Sequence, residues 1–115
     1  MSAPDPQAEV RRRLLEEQRT LLASSEANRD ARRPVELDQQ SVGRLSRMDA
    51  LQMQAMAIET ERRRQSRLAR IETALERLDA GEFGECVVCG EPIAAKRLEL
   101  DPTTPTCLRC AESAS

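Results

Sequence analysis

Apolar positions recur at helical spacing over most of the chain. Val10, Leu14, Leu15, Leu21 and Leu22 share one helical face, leaving Arg11, Arg12, Glu16 and Arg19 to solvent. Asp5 followed by Pro6 marks the start, with a carboxylate at the cap and proline in the first turn. The pattern runs to about Asn28, and residues 29–38 break it, because Pro34 disfavours a helical Arg33. A second helical pattern extends from about Gln39 to Ala80 and stops at Gly81, a left-handed terminator. Gly43 weakens its first turn. Its large apolar residues form two groups: Val42, Leu45, Met48, Leu51, Met53, Met56 and Ile58 with Ala55, then Leu68, Ile71, Leu75 and Leu78. Glu59 to Arg67 separates them with no large apolar side chain.

Lengths suggest how these stripes are buried. At about 1.5 Å per residue the second helix would span roughly 60 Å and the first about half of that. Neither is stable as an isolated surface, since most helical stability comes from burying a face. Folding back at 29–38 sets Leu21 and Leu22 opposite Leu45 and Met48, Leu14 near Met53, and Val10 near Ile58. On this register Met48, Met53 and Met56 are gap-filling core, and the group 68–78 packs against the C-terminal module. The arginines at 62, 63, 64, 67 and 70 read as a solvated face laced with ion pairs to Glu59, Glu61 and Glu72. The expected fold is mainly α: an antiparallel helical hairpin, or coiled coil, joined to a small C-terminal four-cysteine zinc-finger module. Its expected divisions are a loose leader at 1–5, the hairpin at 6–80 with its tip near 29–38, and the zinc finger at 81–115.

Composition narrows the chemistry. Among 115 residues Phe83 is the lone aromatic, which favours an aliphatic helical assembly over a sandwich or barrel. A net charge of −2 argues against a protein held to nucleic acid by bulk electrostatics, so direct DNA binding is not expected. No run of 18 apolar residues is present, and Met1 to Val10 lacks a secretory pattern; the expected location is the cytoplasm, with no membrane partner. Without histidine there is no Ser-His or Cys-His nucleophile and no imidazole base. A phosphate loop of the G-x-x-x-x-G-K type is also missing, so an enzyme is not expected.

Cys86, Cys89, Cys107 and Cys110 form C-x2-C-x17-C-x2-C. Two close pairs at this separation match a tetrahedral zinc site, each pair contributing two thiolates from a tight turn. Gly90 follows the first pair, where backbone N–H groups can turn toward sulfur. Pro92, Pro102 and Pro105 lie between the pairs and suit a loop-rich module whose metal replaces missing core. A redox C-x-x-C, a disulfide or an iron–sulfur cluster are the alternatives. A cytosolic chain disfavours the disulfide, and the dithiol reading has no βαβ context. One structural zinc ion held by all four cysteines is the expectation, and it would take the net charge to about −4.

The run Gly81-Glu82-Phe83-Gly84-Glu85-Cys86-Val87-Val88-Cys89-Gly90-Glu91-Pro92-Ile93, then Lys96-Arg97-Leu98, Pro102 and Cys107-Leu108-Arg109-Cys110, resembles the DksA/TraR zinc-finger family. The likeness is close over about 68–111 and holds only in outline for the hairpin. It implies a bacterial transcription regulator that binds RNA polymerase by inserting its helical hairpin into the secondary channel. Acidic tip residues would then lie near the catalytic magnesium, and some members act with guanosine tetraphosphate. The family's Asp-x-x-Asp-x-Ala tip is not reproduced. The nearest equivalent is Val35-Glu36-Leu37-Asp38-Gln39-Gln40, in which Glu36 and Asp38 are the candidate tip acids. Asp38 serves equally as an N-cap. The pair Asp49-Ala50 lies about three turns further along the helix on this register. The competing expectation is a zinc-ribbon nucleic-acid-binding or adaptor module that uses the arginines of 62–70.

Overall fold

The computed structural model describes residues 5–34 and 44–114. Within them are four α-helices: α1 (Pro6–Ala27), α2 (Arg44–Asp79), α3 (Ala95–Leu100) and α4 (Leu108–Ser113). A single 3-10 turn, Asp30–Arg32, follows α1, and no named strand occurs among the described residues. The fold is mainly helical.

Local chemistry sets the helix ends. The Gln7 N–H donates to Asp5 Oδ1 at 3.0 Å, so Asp5 caps α1 while Pro6 occupies the first position, where its missing N–H has no cost. At the end of α2 the Gly81 N–H donates to Leu78 O and the Glu82 N–H to Arg77 O at 2.8 Å. Gly81 sits at φ 74, the left-handed conformation this paired closure requires. Residues 39–43, where the second helical pattern was expected to begin, lie outside the described residues, as do Val42 and the side chain of Leu45.

Two compact units divide the chain: Met1–Gln18 with Ala69–Ser115, and Arg19–Leu68. The first holds the apolar core. Leu14 and Ile71 are completely buried, with Ala74, Leu78, Cys86 and Ile93 nearly so. Arg11 pairs with Asp79 at 2.8 Å and Arg13 donates to Glu99 O at 3.3 Å, so the start of α1 lies against both the end of α2 and the end of α3.

In the second unit the two arms run antiparallel: Ser25 Oγ donates to Glu61, and Gln54 donates to Arg33 O. This differs from the register expected from the apolar stripes. Ser25, expected beyond the Leu45 end of the pairing of Leu21 and Leu22 with Leu45 and Met48, faces Glu61 instead, and Leu14 belongs to the unit of Ile71 and Leu78 rather than to that of Met53. Burial differs accordingly. Met48, Met53, Met56 and Ile58, expected in the core, are 61%, 71%, 65% and 49% exposed. The half-buried positions of α2 in this unit include Arg47, Ala50, Gln54, Ala57, Glu61 and Arg64, a seam at alternating spacings of three and four. Small and polar side chains line it, so size and hydrophobicity alone mislead about which face is turned inward. The polar stretch 59–67, which separates the two apolar groups of the second helix, pairs with α1 through Glu61. Ion pairs lace its outer face as expected, with Arg62 and Arg63 both on Glu59, but Arg64, expected on that solvated face, is half-buried on the seam beside Glu61.

Candidate metal centre

The metal centre is assembled from two tight turns. The first lies in the loop after Gly81. Glu85 and Pro92 form an isolated antiparallel bridge, the Ile93 N–H donates to Gly84 O at 2.7 Å, and the Cys86 N–H donates to Glu91 O at 2.8 Å. The Gly90 N–H closes the turn on Cys86 O at 2.9 Å, with Gly90 at φ 78. Any side chain is strained at that angle, which accounts for the glycine. The second turn leads into α4, with Cys107 as the residue before its first turn and Cys110 inside it.

Three contacts hold these turns in place. The Val87 N–H donates to Pro105 O at 2.9 Å, tying the first turn to the approach of the second. Arg97 Nε donates to Thr106 O at 3.1 Å, anchoring the same segment to α3. Arg77, in the last turn of α2, donates to both Glu82 O and Glu85 O, at 3.0 and 2.7 Å. That guanidinium neutralises helix-end and loop carbonyls at the point where α2 hands over to the module. Asp101 stabilises the remaining loop: its Oδ1 accepts from the Thr103 N–H and hydroxyl at 3.0 and 2.7 Å, a side-chain turn, and its other oxygen takes Arg70. The roles of Arg77 and Asp101 went unread in the sequence, since neither belongs to a motif.

All four candidate sulfurs converge. Cys86, Cys89, Cys107 and Cys110 place their Sγ atoms within 4.8 Å of one another, and Cys89 Sγ lies 3.8 Å from Cys107 Sγ. A tetrahedral zinc with bonds of about 2.3 Å demands sulfur–sulfur edges of about 3.8 Å, which this separation meets. It is far beyond a disulfide bond, for which about 2.05 Å is needed, and the four cysteines are free. The surroundings act in opposite directions on Cys86 and Cys110. Backbone N–H groups of Cys89, Cys107 and Val88 lower the buried Cys86 thiol to about 6, favouring its thiolate. Hydrogen bonding to Cys107, then burial, push Cys110 up to about 12, with repulsion from the Cys107 thiolate a smaller addition. Arg109 is held more firmly charged by its hydrogen bond to Cys89. A bound dication removes that repulsion and holds the whole set deprotonated. With four protein donors no position is left open for a substrate, so the chemistry available is structural.

The other candidate site residues, Glu36 and Asp38, lie outside the described residues. Asp49 is described. It is an exposed acid of α2, between the half-buried seam positions Arg47 and Ala50.

Comparison with known proteins agrees with this centre. Residues 81–115 match the family model described as the prokaryotic dksA/traR C4-type zinc finger. The RNA polymerase-binding transcription factor DksA of Haemophilus influenzae is 38% identical over 63 residues, covering 53% of this chain and 43% of that protein. The RNA polymerase-binding transcription factor DksA of Caulobacter vibrioides is 34% identical over 58 residues, covering 50% of this chain and 41% of that protein. The chain thus spans less than half the length of these relatives. The solved structure of transcription factor DksA2 from Pseudomonas aeruginosa superposes with a TM-score of 0.75 at 29% identity, over 94% of this chain and 81% of that one. The family match and the clustered thiols together indicate a structural zinc ion.

Proposed function

From the premise that this chain carries a zinc finger of the DksA/TraR family, we propose that it is a transcription regulator that binds RNA polymerase. Cys86, Cys89, Cys107 and Cys110 are its four zinc ligands in this reading. The hairpin of residues 6–80 enters the polymerase secondary channel, and the finger of 81–115 holds the hairpin's base. Acidic residues near the turn make the regulatory contact. The candidates are Glu36 and Asp38 within the expected 29–38 tip, joined by Asp49. The protein works by occupying the pore rather than as an enzyme, and it acts in the cytoplasm, where polymerase is found.

The observation that carries this reading is the convergence of four thiols into a closed site in a chain whose arms pair antiparallel. A narrow pore admits a helix pair and little else, and a metal-pinned base supplies the rigidity that insertion needs. Arg62 and Arg63, on which a nucleic-acid module would rely, are engaged with Glu59, and duplex DNA would have to compete for them. The test is in vitro transcription with zinc-loaded protein, with Asp49→Asn, and with residues 35–38 deleted. The expected result is a promoter-dependent change in transcript yield that both variants weaken while polymerase binding persists. Guanosine tetraphosphate is a second variable in the same assay, because the resemblance extends to alarmone-responsive members. Transcript yields indistinguishable from the protein-free reaction at every promoter would contradict the proposal.

A further inference from the structure

The seam of the Arg19–Leu68 unit poses a physical problem. Its α2 positions Ala50, Gln54 and Ala57 offer little apolar volume, so they discriminate poorly between alternative pairings of the two arms. A slip of one heptad that brings Ser25 opposite Gln54 instead of Glu61 exchanges one polar neighbour for another. What such a slip cannot keep is the cluster around Glu61. Its carboxylate accepts from Ser25 Oγ and lies 3.5 Å from Arg32, both from the first arm, and accepts from Arg64 and Gln65 of its own helix. The Glu61 and Arg64 side chains are only 15% and 11% exposed. After a slip Glu61 would remain largely desolvated beside Arg64 with its cross-arm partners Ser25 and Arg32 gone, the costly case for a paired charge. Because Ser25 and then Arg64 donate to it, the Glu61 carboxyl is held down at about 2, so the cluster remains charged at any physiological pH.

We propose that Glu61, with Ser25, Arg32 and Arg64, sets the register of the two arms and so determines which residues the turn presents. A single polar group on a helical seam is the best-attested way to specify register at some expense of stability. The consequence is mechanical. Slipping one arm by a heptad moves the apex by half of that, about 5 Å, enough to withdraw a tip acid from contact with its target. That last step rests on the polymerase reading above, whereas the register itself does not. Glu61 is therefore a positioning residue.

The test uses the full zinc-loaded chain. Keto-bearing amino acids placed at the exposed positions Leu22 and Arg63 carry nitroxide labels without touching the zinc thiols, and their separation is read by pulsed electron resonance. The unsubstituted seam should give a single narrow distance. Glu61→Gln should broaden it, and the double variant Glu61→Leu, Arg64→Leu should show a second population at longer distance, because a heptad slip offsets the two nearly level labels by about 10 Å along the axis. The double variant also guards against simple unfolding, since apolar replacement of a buried pair should leave the melting temperature equal or higher. In transcription assays it should still bind polymerase while its effect on transcript yield falls at least tenfold. A single unchanged distance in both variants would mean that the apolar core of the other unit fixes the register unaided, and the proposal would be wrong. If polymerase binding is absent while the distances respond as expected, the register stands and the polymerase reading fails.

Discussion

Leu14→Ala is the substitution on which the packing account makes its sharpest numerical commitment. Leu14 is completely buried, in a unit whose other buried apolar side chains are Ile71, Ala74, Leu78, Cys86 and Ile93. Truncating a fully buried leucine costs about 2–5 kcal/mol, the transfer free energy plus the cavity left behind. Against a total stability of roughly 5–15 kcal/mol for a domain of this class, that is a large fraction. With each kcal/mol worth about 4–8 °C at this size, the melting temperature should fall by at least about 8 °C. The control is Met53→Ala. Spacing alone would bury Met53 opposite Leu14, yet it is 71% exposed, so its truncation should stay within about 0.5 kcal/mol. Urea denaturation of zinc-loaded protein, followed by helical circular dichroism, gives both values on one scale. A loss at Met53 equal to that at Leu14 would refute the register described here and restore the one inferred from apolar spacing.

Three further outcomes are expected. Cys86→Ser, or removal of metal by a strong chelator, should unfold the loop region 81–110 and release one equivalent of zinc, measured by a colorimetric zinc indicator alongside circular dichroism; full retention of the wild-type melt without metal would contradict the structural role. Gly81→Ala should lower stability by about 1 kcal/mol, because φ 74 is strained for alanine although its methyl would meet nothing within 4 Å; an unchanged denaturation midpoint would refute this. Glu61 has a carboxyl depressed in the fold from 4.5 to about 2, so its contribution is present above pH 4.5 and is lost as pH falls toward 2. The difference in stability between wild type and Glu61→Gln should therefore shrink over that window, and a difference independent of pH would remove the carboxylate as its source.

The parts of the molecule that were legible in the sequence are those set by local chemistry. The four cysteines announce themselves because each pair must supply two ligands from one turn, and Gly90 and Gly81 are needed where the backbone turns left-handed. Asp5 with Pro6 likewise specifies a helix start within three residues. The pairing of the arms was not legible for a physical reason. A stripe at alternating three- and four-residue spacing can be matched to another at any heptad, and the longest apolar side chains, Met48, Met53 and Met56, pointed to the wrong face. The seam is instead carried by Ala50, Gln54, Ala57 and an ion cluster, whose inward orientation follows only from the partner arm. Arg77 and Asp101 escaped notice similarly, because their work is done against main-chain groups distant from any motif.

Direct binding to polymerase is the measurement that bears most immediately on the central claim. Zinc-loaded protein, verified as folded by circular dichroism, is passed over a size-exclusion column with core RNA polymerase at low salt, and again after its metal has been removed. The account predicts that the zinc-loaded chain co-elutes with polymerase in a saturable, near one-to-one ratio and that the metal-free chain does not. Folded, zinc-loaded protein that elutes at its own position at every polymerase concentration would contradict it.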